Sequence, residues 1–222
     1  MQYVILDLEM NPIPGKWKEA RRICKHEIIQ IGAVLLDESF QEIGSFMTLV
    51  KPEYAERITG KIKSLTGIST EKVVAAPAFA RAMDMFLSWL NSIPEEIEIH
   101  QWSKSDFTQI MNEIQLKDYP LDDDKVKALS GWMDFQDEYD RILGVNRQMS
   151  LSQATMLAGV EFVGRAHDAL ADARNTGALL MTVRTPELCK YALDNVIQAL
   201  EPEPIGTTIA DFFDFSQFQF SA

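Results

Sequence analysis

Five side chains that could do chemistry lie beside predicted strand ends or helix starts in this sequence. They are four carboxylates and one imidazole: Asp7, Glu9, Asp106, His167 and Asp172. Asp7 and Glu9 are two residues apart in the apolar run YVILDLE, so a strand would place both on one face. Two carboxylates this close repel each other unless a cation or a proton separates them. Hard oxygen ligands of this kind select Mg²⁺ or Mn²⁺. The alternative is that the strand ends at Asp7 and both acids lie in water.

The hydrophobic pattern predicts the strands that would position the first three acids. Residues 3–9 form a short apolar run typical of a central strand, and its carboxyl end carries Asp7 and Glu9. Further strands are predicted at residues 28–36, 42–51 and 96–102, with a short edge strand at 126–132. Asp106 lies near the start of the helix that follows the 96–102 strand, where the helix dipole alone also favours a carboxylate. Other helices are predicted at residues 77–90, 133–143, 153–158 and 186–200.

His167 and Asp172 are five residues apart at the start of another long helical segment. Within one continuous helix their side chains would diverge by about 140°. If Asp168 is the N-cap instead, His167 lies in the preceding loop and can fold back toward Asp172. A loop histidine beside a carboxylate on a rigid helix suits a general base over a metal site. The alternative is a surface histidine beside an acid of the first helical turn.

Length and charge limit the classes of protein to which this chain can belong. Its 222 residues, 46% of them hydrophobic, favour one domain with a single sizeable core. The formal net charge of −12 argues against a protein that coats long nucleic acid, but not against one that grips a short polyanion. Cys24 and Cys189 have no metal-type spacing, which indicates reduced thiols. With no room for a signal peptide and no membrane-spanning run, we expect a cytoplasmic protein.

Two segments differ from the rest of the chain in charge. Residues 16–26 contain five basic residues and one acid, which indicates either a solvated surface or a grip on phosphates close to Asp7 and Glu9. Residues 201–222 contain four acids, five phenylalanines and no Lys or Arg. We expect this tail to be separate from a domain at residues 1–200. Its aromatic residues favour docking on the body or on a partner protein over full disorder.

The order and spacing of the acids resemble the three motifs of the DEDDh 3′–5′ exonucleases. The first motif is DLE at residues 7–9, the second is Asp106, and the third is HDALAD at residues 167–172. The segment HEIIQIGAVLL resembles the second strand of that family, and SLTGIS resembles its nucleotide-contacting loop. The likeness covers residues 1–184 and is greatest to the stand-alone branch that trims RNA, which includes bacterial KapD-like relatives. The continuation from Met10 departs from the Thr-containing one that usually follows the first motif.

The resemblance implies a fold, an activity and a set of site residues. The fold is α/β, a ribonuclease-H-like mixed five-stranded sheet flanked by helices. The activity is two-metal-ion 3′–5′ exonuclease cleavage, which releases 5′-nucleotides from the 3′ end of single-stranded nucleic acid, with RNA favoured over DNA. His167 would take the proton of the attacking water. Two Mg²⁺ or Mn²⁺ ions would be held by four carboxylates: Asp7, Glu9, Asp106 and Asp172. Substrate contacts are expected at Met10, Leu65, Thr66 and Trp102.

Three other functions are compatible with the sequence. The same fold can act on the 3′ ends of DNA, since sugar preference depends on 2′-hydroxyl contacts that the sequence does not locate. A non-catalytic module could use the fold, and the Phe-rich tail, to hold a partner protein. Metal-dependent hydrolysis of a small phosphoester would give activity on mononucleotide analogues and none on oligonucleotides.

Overall fold

The computed structural model describes residues 1–144 and 149–200, which contain one five-stranded sheet. The strands are β1 (Gln2–Pro12), β2 (His26–Leu36), β3 (Glu42–Leu49), β4 (Ile97–Gln101) and β5 (Met133–Asp134). Their order in the sheet is β3-β2-β1-β4-β5. Strand β1 pairs antiparallel with β2 and parallel with β4, so the sheet is mixed. The predicted α/β fold with a mixed five-stranded sheet is confirmed.

Helices cover both faces of this sheet. The described residues form α1 (Lys18–Ile23), α2 (Gly60–Thr66), α3 (Thr70–Val74), α4 (Phe79–Asn91), α5 (Ser105–Leu116), α6 (Asp123–Ala128), α7 (Phe135–Leu143), α8 (Leu151–Ala158), α9 (Ala169–Arg184) and α10 (Pro186–Leu200). Helices α4 and α5 pack in the core on one face. Helices α7 to α10 pack in the core on the other, where α9 lies directly against β1 and β2.

Strand β1 is buried between these two cores because its side chains alternate between them. One core takes every second residue: Val4, Leu6 and Leu8. The other core takes Ile5, which is fully buried. Asp7 and Glu9 follow Ile5 at the same spacing, so both acids point to the α9 side of the sheet. A buried central strand therefore presents two carboxylates on one face, as predicted, but in its middle and second half, because β1 continues to Pro12.

The edge strand predicted at residues 126–132 is wrong. This stretch begins in α6, because the side chain of Asp122 caps that helix by accepting the Lys125 N–H at 2.9 Å. The edge strand is instead β5, which is two residues long and pairs with the end of β4. The helix predicted from residue 133 therefore begins two residues later, at Phe135.

Several element boundaries also differ from those expected. Leu65 and Thr66, expected in a loop, end helix α2, which Gly67 closes in the left-handed conformation at φ +71°. Strand β1 runs from Gln2 to Pro12, beyond the predicted residues 3–9 at both ends. Strand β3 ends at Leu49, two residues before the expected boundary.

The remaining expectations concern thiols, membranes and the tail. Cys24 and Cys189 are both free. Among the helices of the described residues, none combines the length and the apolar character needed to cross a bilayer. The acidic Phe-rich tail at residues 201–222 lies outside the described residues.

Candidate active site

The first two acids lie where strand β1 changes register against β2. Glu9 pairs with Gln30, but the next residue, Met10, pairs with Ile28, so β2 holds one extra residue there. The N–H of Ile28 donates a hydrogen bond of 2.5 Å to Oε1 of Glu113 in α5. A bulge of this kind bends a strand and changes the direction of its side chains. The bulge therefore lies directly after the second of the two acids on β1, and α5 holds it in place.

Helix α5 carries Asp106 in its first turn, where the side chain is only 5% exposed. One turn further on, the side-chain amide of Gln109 donates to the carbonyl of His26 at 2.9 Å. The side chain of Gln101, at the end of β4, accepts the N–H of Phe107 at 2.7 Å. That bond satisfies one of the free N–H groups at the helix start. Strands β2 and β4 thus both orient the helix that brings Asp106 to the site.

Helix α9 begins at Ala169 with Asp168 as its N-cap, as predicted. The Asp168 side chain accepts the N–H of Ala171 at 3.2 Å. His167 adopts a left-handed backbone conformation with φ of +64°. This turn directs the N–H of His167 back to Oδ2 of Asp172, at 3.0 Å. The predicted return of the histidine loop toward the helical carboxylate is confirmed.

Two features hold the start of α9 against strand β2. The N–H of Ala169 donates to Oε1 of Gln30 at 3.2 Å. Gly32 lies directly beneath the helix, and a Cβ there would be 2.4 Å from the carbonyl carbon of Ala169 and from the nitrogen of Leu170. Gly32 is also the ladder partner of Asp7. A glycine at this position therefore lets the helix that carries Asp172 approach the strand that carries Asp7.

The loop before α9 is tied down at two points. The side chain of Asn175 accepts the N–H of Val163 at 2.9 Å and donates to its carbonyl at 2.8 Å. The guanidinium of Arg165 donates to the carbonyls of Ser64 and Leu65 at 2.9 and 3.0 Å. The loop that presents the histidine is therefore bound both to its own helix and to α2.

Glu9, His167 and Asp172 meet at one point. One possible ligand atom from each side chain lies within 4.8 Å of the others. Oδ1 of Asp172 is buried and has no hydrogen-bond partner among the described residues, whereas Oδ2 accepts the His167 N–H. A buried polar atom without a partner destabilises the fold unless something else satisfies it. A bound cation would do so, and these residues therefore fit a metal ion.

Asp7 and Asp106 join this group through electrostatics. Burial raises the pKa of Asp7 well above its ordinary value, and the charges of Asp106, Asp172 and Glu9 raise it further. Burial, with Asp172 and Asp106, raises the pKa of Glu9 to about 8. Burial raises the pKa of Asp106 to about 7 and that of Asp172 to about 6. Carboxylates that oppose each other's ionisation in this way form a strong site for a divalent cation.

A depression of about 250 Å³ opens beside the acids. Its lining comes from β1, β2, α2 and the loop before α9: Leu8, Glu9, Met10, His26, Ile62, Leu65, Thr66 and His167. Three of the four residues predicted to bind substrate, Met10, Leu65 and Thr66, therefore lie together next to the acids. The hydroxyl of Thr66 donates to the carbonyl of Ile62 and accepts the N–H of Ile68, so it is already used within α2.

Trp102, the fourth residue predicted to bind substrate, does not lie in this depression. Its indole N–H donates to the carbonyl of Met149 at 3.2 Å. Its ring packs edge-on against Phe135 and Tyr139, and the residue is 9% exposed. The structure places Trp102 in the core beneath α7, which gives it a packing role in place of the expected contact with substrate.

Four residues that shape the depression were missed from the sequence. Leu8, His26 and Ile62 line it directly. Asn11 is fully buried behind it; its side chain accepts the N–H of Thr59 at 3.0 Å and donates to the carbonyl of Arg57 at 3.3 Å. The sequence offered two signals for these residues: a histidine at the start of an apolar strand, and an asparagine two residues after Glu9.

Comparison with known proteins identifies the family. Residues 4–180 match the model of the RNase_T family, described as exonuclease. The ERI1 exoribonuclease 2 of Danio rerio is 27% identical over 221 residues, which cover 90% of this chain. The chain spans only 38% of the length of that relative. The match therefore concerns one part of a longer relative.

Solved structures share the fold. The nuclease domain of 3′hExo, a DEDDh family member bound to rAMP, superimposes with a TM-score of 0.70 at 22% identity, over 83% of this chain and 92% of that one. E. coli exonuclease I in complex with a dT13 oligonucleotide gives a TM-score of 0.61 at 20% identity, over 86% of this chain and 43% of that one. The chain belongs to the RNase_T exonuclease family, and its resemblance to the DEDDh exonucleases is confirmed.

Proposed function

We propose that this chain is a metal-dependent 3′–5′ exonuclease that removes nucleotides one at a time from the 3′ end of single-stranded RNA. The products would be 5′-nucleotides. The observation that carries the proposal is the meeting of Glu9, His167 and Asp172 within 4.8 Å. Asp7 and Asp106 are electrostatic neighbours of the same group. An acid cluster for metal beside a histidine for proton transfer is the minimum equipment for hydrolysis of a phosphodiester.

The metal ligands in this proposal are four carboxylates: Asp7, Glu9, Asp106 and Asp172. Their donors are oxygen atoms, which suit Mg²⁺ or Mn²⁺ better than softer metals. Two such ions, when bound, supply charge neutralisation at the scissile phosphate and a water of lowered pKa. The buried, unpartnered Oδ1 of Asp172 supports a ligand role for that side chain.

His167 would accept the proton of the attacking water on an imidazole nitrogen. Its main-chain N–H is anchored to Asp172, while the residue as a whole is exposed. The ring can therefore turn toward the reacting water without loss of the backbone anchor. Imidazole suits this transfer because it exchanges a proton near neutral pH.

The depression beside the acids would receive the terminal nucleoside. Met10, Ile62 and Leu65 offer apolar contacts to the face of a base, and such contacts tolerate any of the four bases. The hydrogen bonds of Asn11 to Arg57 and Thr59 fix the start of α2 relative to β1, so the side of the depression that α2 forms stays in place. The terminal phosphodiester would then lie beside Glu9 and the ring of His167.

RNA is the proposed substrate because the relative that matches 90% of this chain is an exoribonuclease. Single-stranded DNA is the second candidate, because exonuclease I in complex with a DNA oligonucleotide has the same fold. Base contacts of the stacking kind do not distinguish the two sugars, whereas a contact to the 2′-hydroxyl does.

The test uses single-stranded RNA and DNA of one sequence, each labelled at its 5′ end and incubated with and without Mg²⁺. We expect a ladder of products shortened from the 3′ end of the RNA, only in the presence of metal, with 5′-nucleotides released. Asp172→Asn should abolish the ladder. Absence of cleavage of both substrates would refute the exonuclease, and faster cleavage of the DNA would assign the second candidate.

A further inference from the structure

An exposed aromatic ring and a basic helix lie on the segment that connects β1 to β2. Trp17 precedes α1 and is 43% exposed. Its indole N–H donates to the carbonyl of Tyr54 at 3.0 Å, and the two rings meet edge to face with centroids 5.5 Å apart. The Trp17 ring is therefore held in one orientation although much of its surface faces solvent.

The charge around this ring is opposite to that of the protein as a whole. Residues 16–26 carry five basic side chains and one acid in a chain of net charge −12. The ion pairs Lys16–Glu56 and Arg22–Glu19 lie at the surface, where such pairs contribute little and exchange readily for phosphate. A polyanion would find a local positive field here.

Lys18 and Lys25 are exposed, and in the described part of the chain neither forms an ion pair. Trp17 also lines a shallow hollow of about 660 Å³ whose apolar side chains include Ile23 and Tyr54. Bases have apolar faces and their phosphates are charged, so single-stranded nucleic acid matches an aromatic and apolar surface with a basic rim.

Adjacent residues at the end of β1 and the start of β2 link this surface to the depression. His26, which lines the depression, pairs with Pro12 at the end of β1. The N–H of Ile13, the next residue, donates to the carbonyl of Lys25 at 2.9 Å. Glu9 and Pro12 are three strand residues apart, about 10 Å. A strand of nucleic acid with its end at Glu9 would reach α1 within a few nucleotides.

We propose that Trp17 and the basic side chains of residues 16–25 form a second subsite, which binds a nucleotide of the single-stranded substrate away from its 3′ end by stacking and phosphate contacts. The subsite rests on the proposed exonuclease function for its biological use, but its binding of nucleic acid does not require catalysis. It would make affinity depend on substrate length, because only strands that extend beyond the depression would contact Trp17.

The first experiment measures binding without catalysis. Fluorescence anisotropy in chelator follows a labelled single strand of about 12 nucleotides, a length within the range of known single-strand sites. Trp17→Ala should weaken binding about 5- to 100-fold, the loss expected for one base–aromatic stack. Trp17→Phe should retain most of the affinity. Tyr191→Ala is the matched control, since Tyr191 is 59% exposed on α10 and has Lys190 beside it.

A second variant tests the subsite without a change at Trp17, in case Trp17→Ala disturbs the local fold. Lys18→Glu with Lys25→Glu changes two exposed side chains and should weaken binding and lower its dependence on salt. In the active protein, Trp17→Ala should lower the ratio of kcat/KM on the long strand to kcat/KM on a dinucleotide. If neither variant weakens binding more than Tyr191→Ala does, the subsite is refuted. If binding depends on Trp17 but no strand is cleaved, the subsite stands and the exonuclease function fails.

Discussion

The backbone N–H of His167 donates to Oδ2 of Asp172, and this bond couples the proposed base to a proposed metal ligand. Oδ1 of the same carboxylate is buried, and no group in residues 1–144 or 149–200 forms a hydrogen bond with it. Oδ2 of Asp172 thus holds the histidine loop, and Oδ1 is left to bind a metal ion in the acid cluster. The left-handed backbone of His167, with φ of +64°, makes this division possible.

Removal of the imidazole should lower turnover and preserve metal binding. We expect His167→Asn to reduce kcat by about 10²- to 10⁴-fold, the usual contribution of a general base. Asparagine is the better substitution than alanine because it tolerates the left-handed conformation seen at His167. Steady-state kinetics on labelled RNA measure the effect, and the metal-induced shift in melting temperature is the control. Unchanged turnover would remove His167 from the mechanism.

Divalent metal should stabilise the folded protein through the acids. At about 100 times its Kd, one bound ion adds about 2.7 kcal/mol, which raises the Tm of a domain of this size by roughly 5–10 °C. Asp172→Asn removes a ligand charge and retains an oxygen that can accept the His167 N–H. We expect that variant to lose most of the shift with Mg²⁺ or Mn²⁺. A wild-type melting temperature that does not respond to metal would contradict the acid cluster as a metal site.

Stability without metal should fall as the pH rises. The folded protein raises the pKa of Glu9 to about 8, of Asp106 to about 7 and of Asp172 to about 6, from ordinary values of 4.5, 3.8 and 3.8. Between the ordinary and the raised values the folded state binds more protons than the unfolded state, so the free energy of unfolding decreases with increasing pH.

Melting curves in chelator at a series of pH values measure this dependence. We expect Tm to decrease from about pH 5 to about pH 8, and the slope to be smaller with saturating Mg²⁺, which favours the ionised acids at every pH. Asp172→Asn should also reduce the slope in chelator, because it removes one of the three titrating groups named above. A Tm that increases over this range in chelator would mean that the acids are not buried together.

A methyl group at Gly32 should disturb both stability and activity. The Cβ of Gly32→Ala would lie 2.4 Å from backbone atoms of Ala169 and Leu170, so α9 must move. We expect a loss of about 1–3 kcal/mol in the free energy of unfolding. A shift of about 1 Å in the start of α9 would also lower kcat by about 10²-fold.

Gly44→Ala is the matched control, because a Cβ on that β3 residue would meet only side-chain atoms of Leu35 at 3.7 Å. Denaturant unfolding and kinetics on both variants make the comparison. Equal stability and activity of the two variants would show that the close approach at Gly32 has no part in the site.

The acids could be predicted from the sequence because local patterns encode their positions. Alternation in residues 3–9 predicted which side chains of β1 share a face, and the two cores divide Val4 from Ile5 accordingly. Asp168 followed the N-cap preference of short polar side chains, which placed His167 outside the helix. Both patterns depend only on residues close together in the chain, so they can be recognised from the sequence alone.

The supports of the site could not be predicted because they act between distant parts of the chain. Gln30 and Ala169 are 139 residues apart, and no local pattern records their hydrogen bond. Trp102 was misplaced because an aromatic residue at a strand end suits base stacking and core packing equally. Its burial is decided by α7, which packs over it with Phe135 and Tyr139.

Asn11 gives the proposed product only certain ways to leave. Its side-chain amide bonds to Thr59 and Arg57 and so joins the end of β1 to the segment that leads into α2. The side of the depression formed by α2 therefore moves together with the strand that carries Glu9. A nucleotide held against α2 would therefore not be released by a movement of α2 away from β1. His167 also lines the depression and is exposed, and rotation of its ring is the motion that would open an exit.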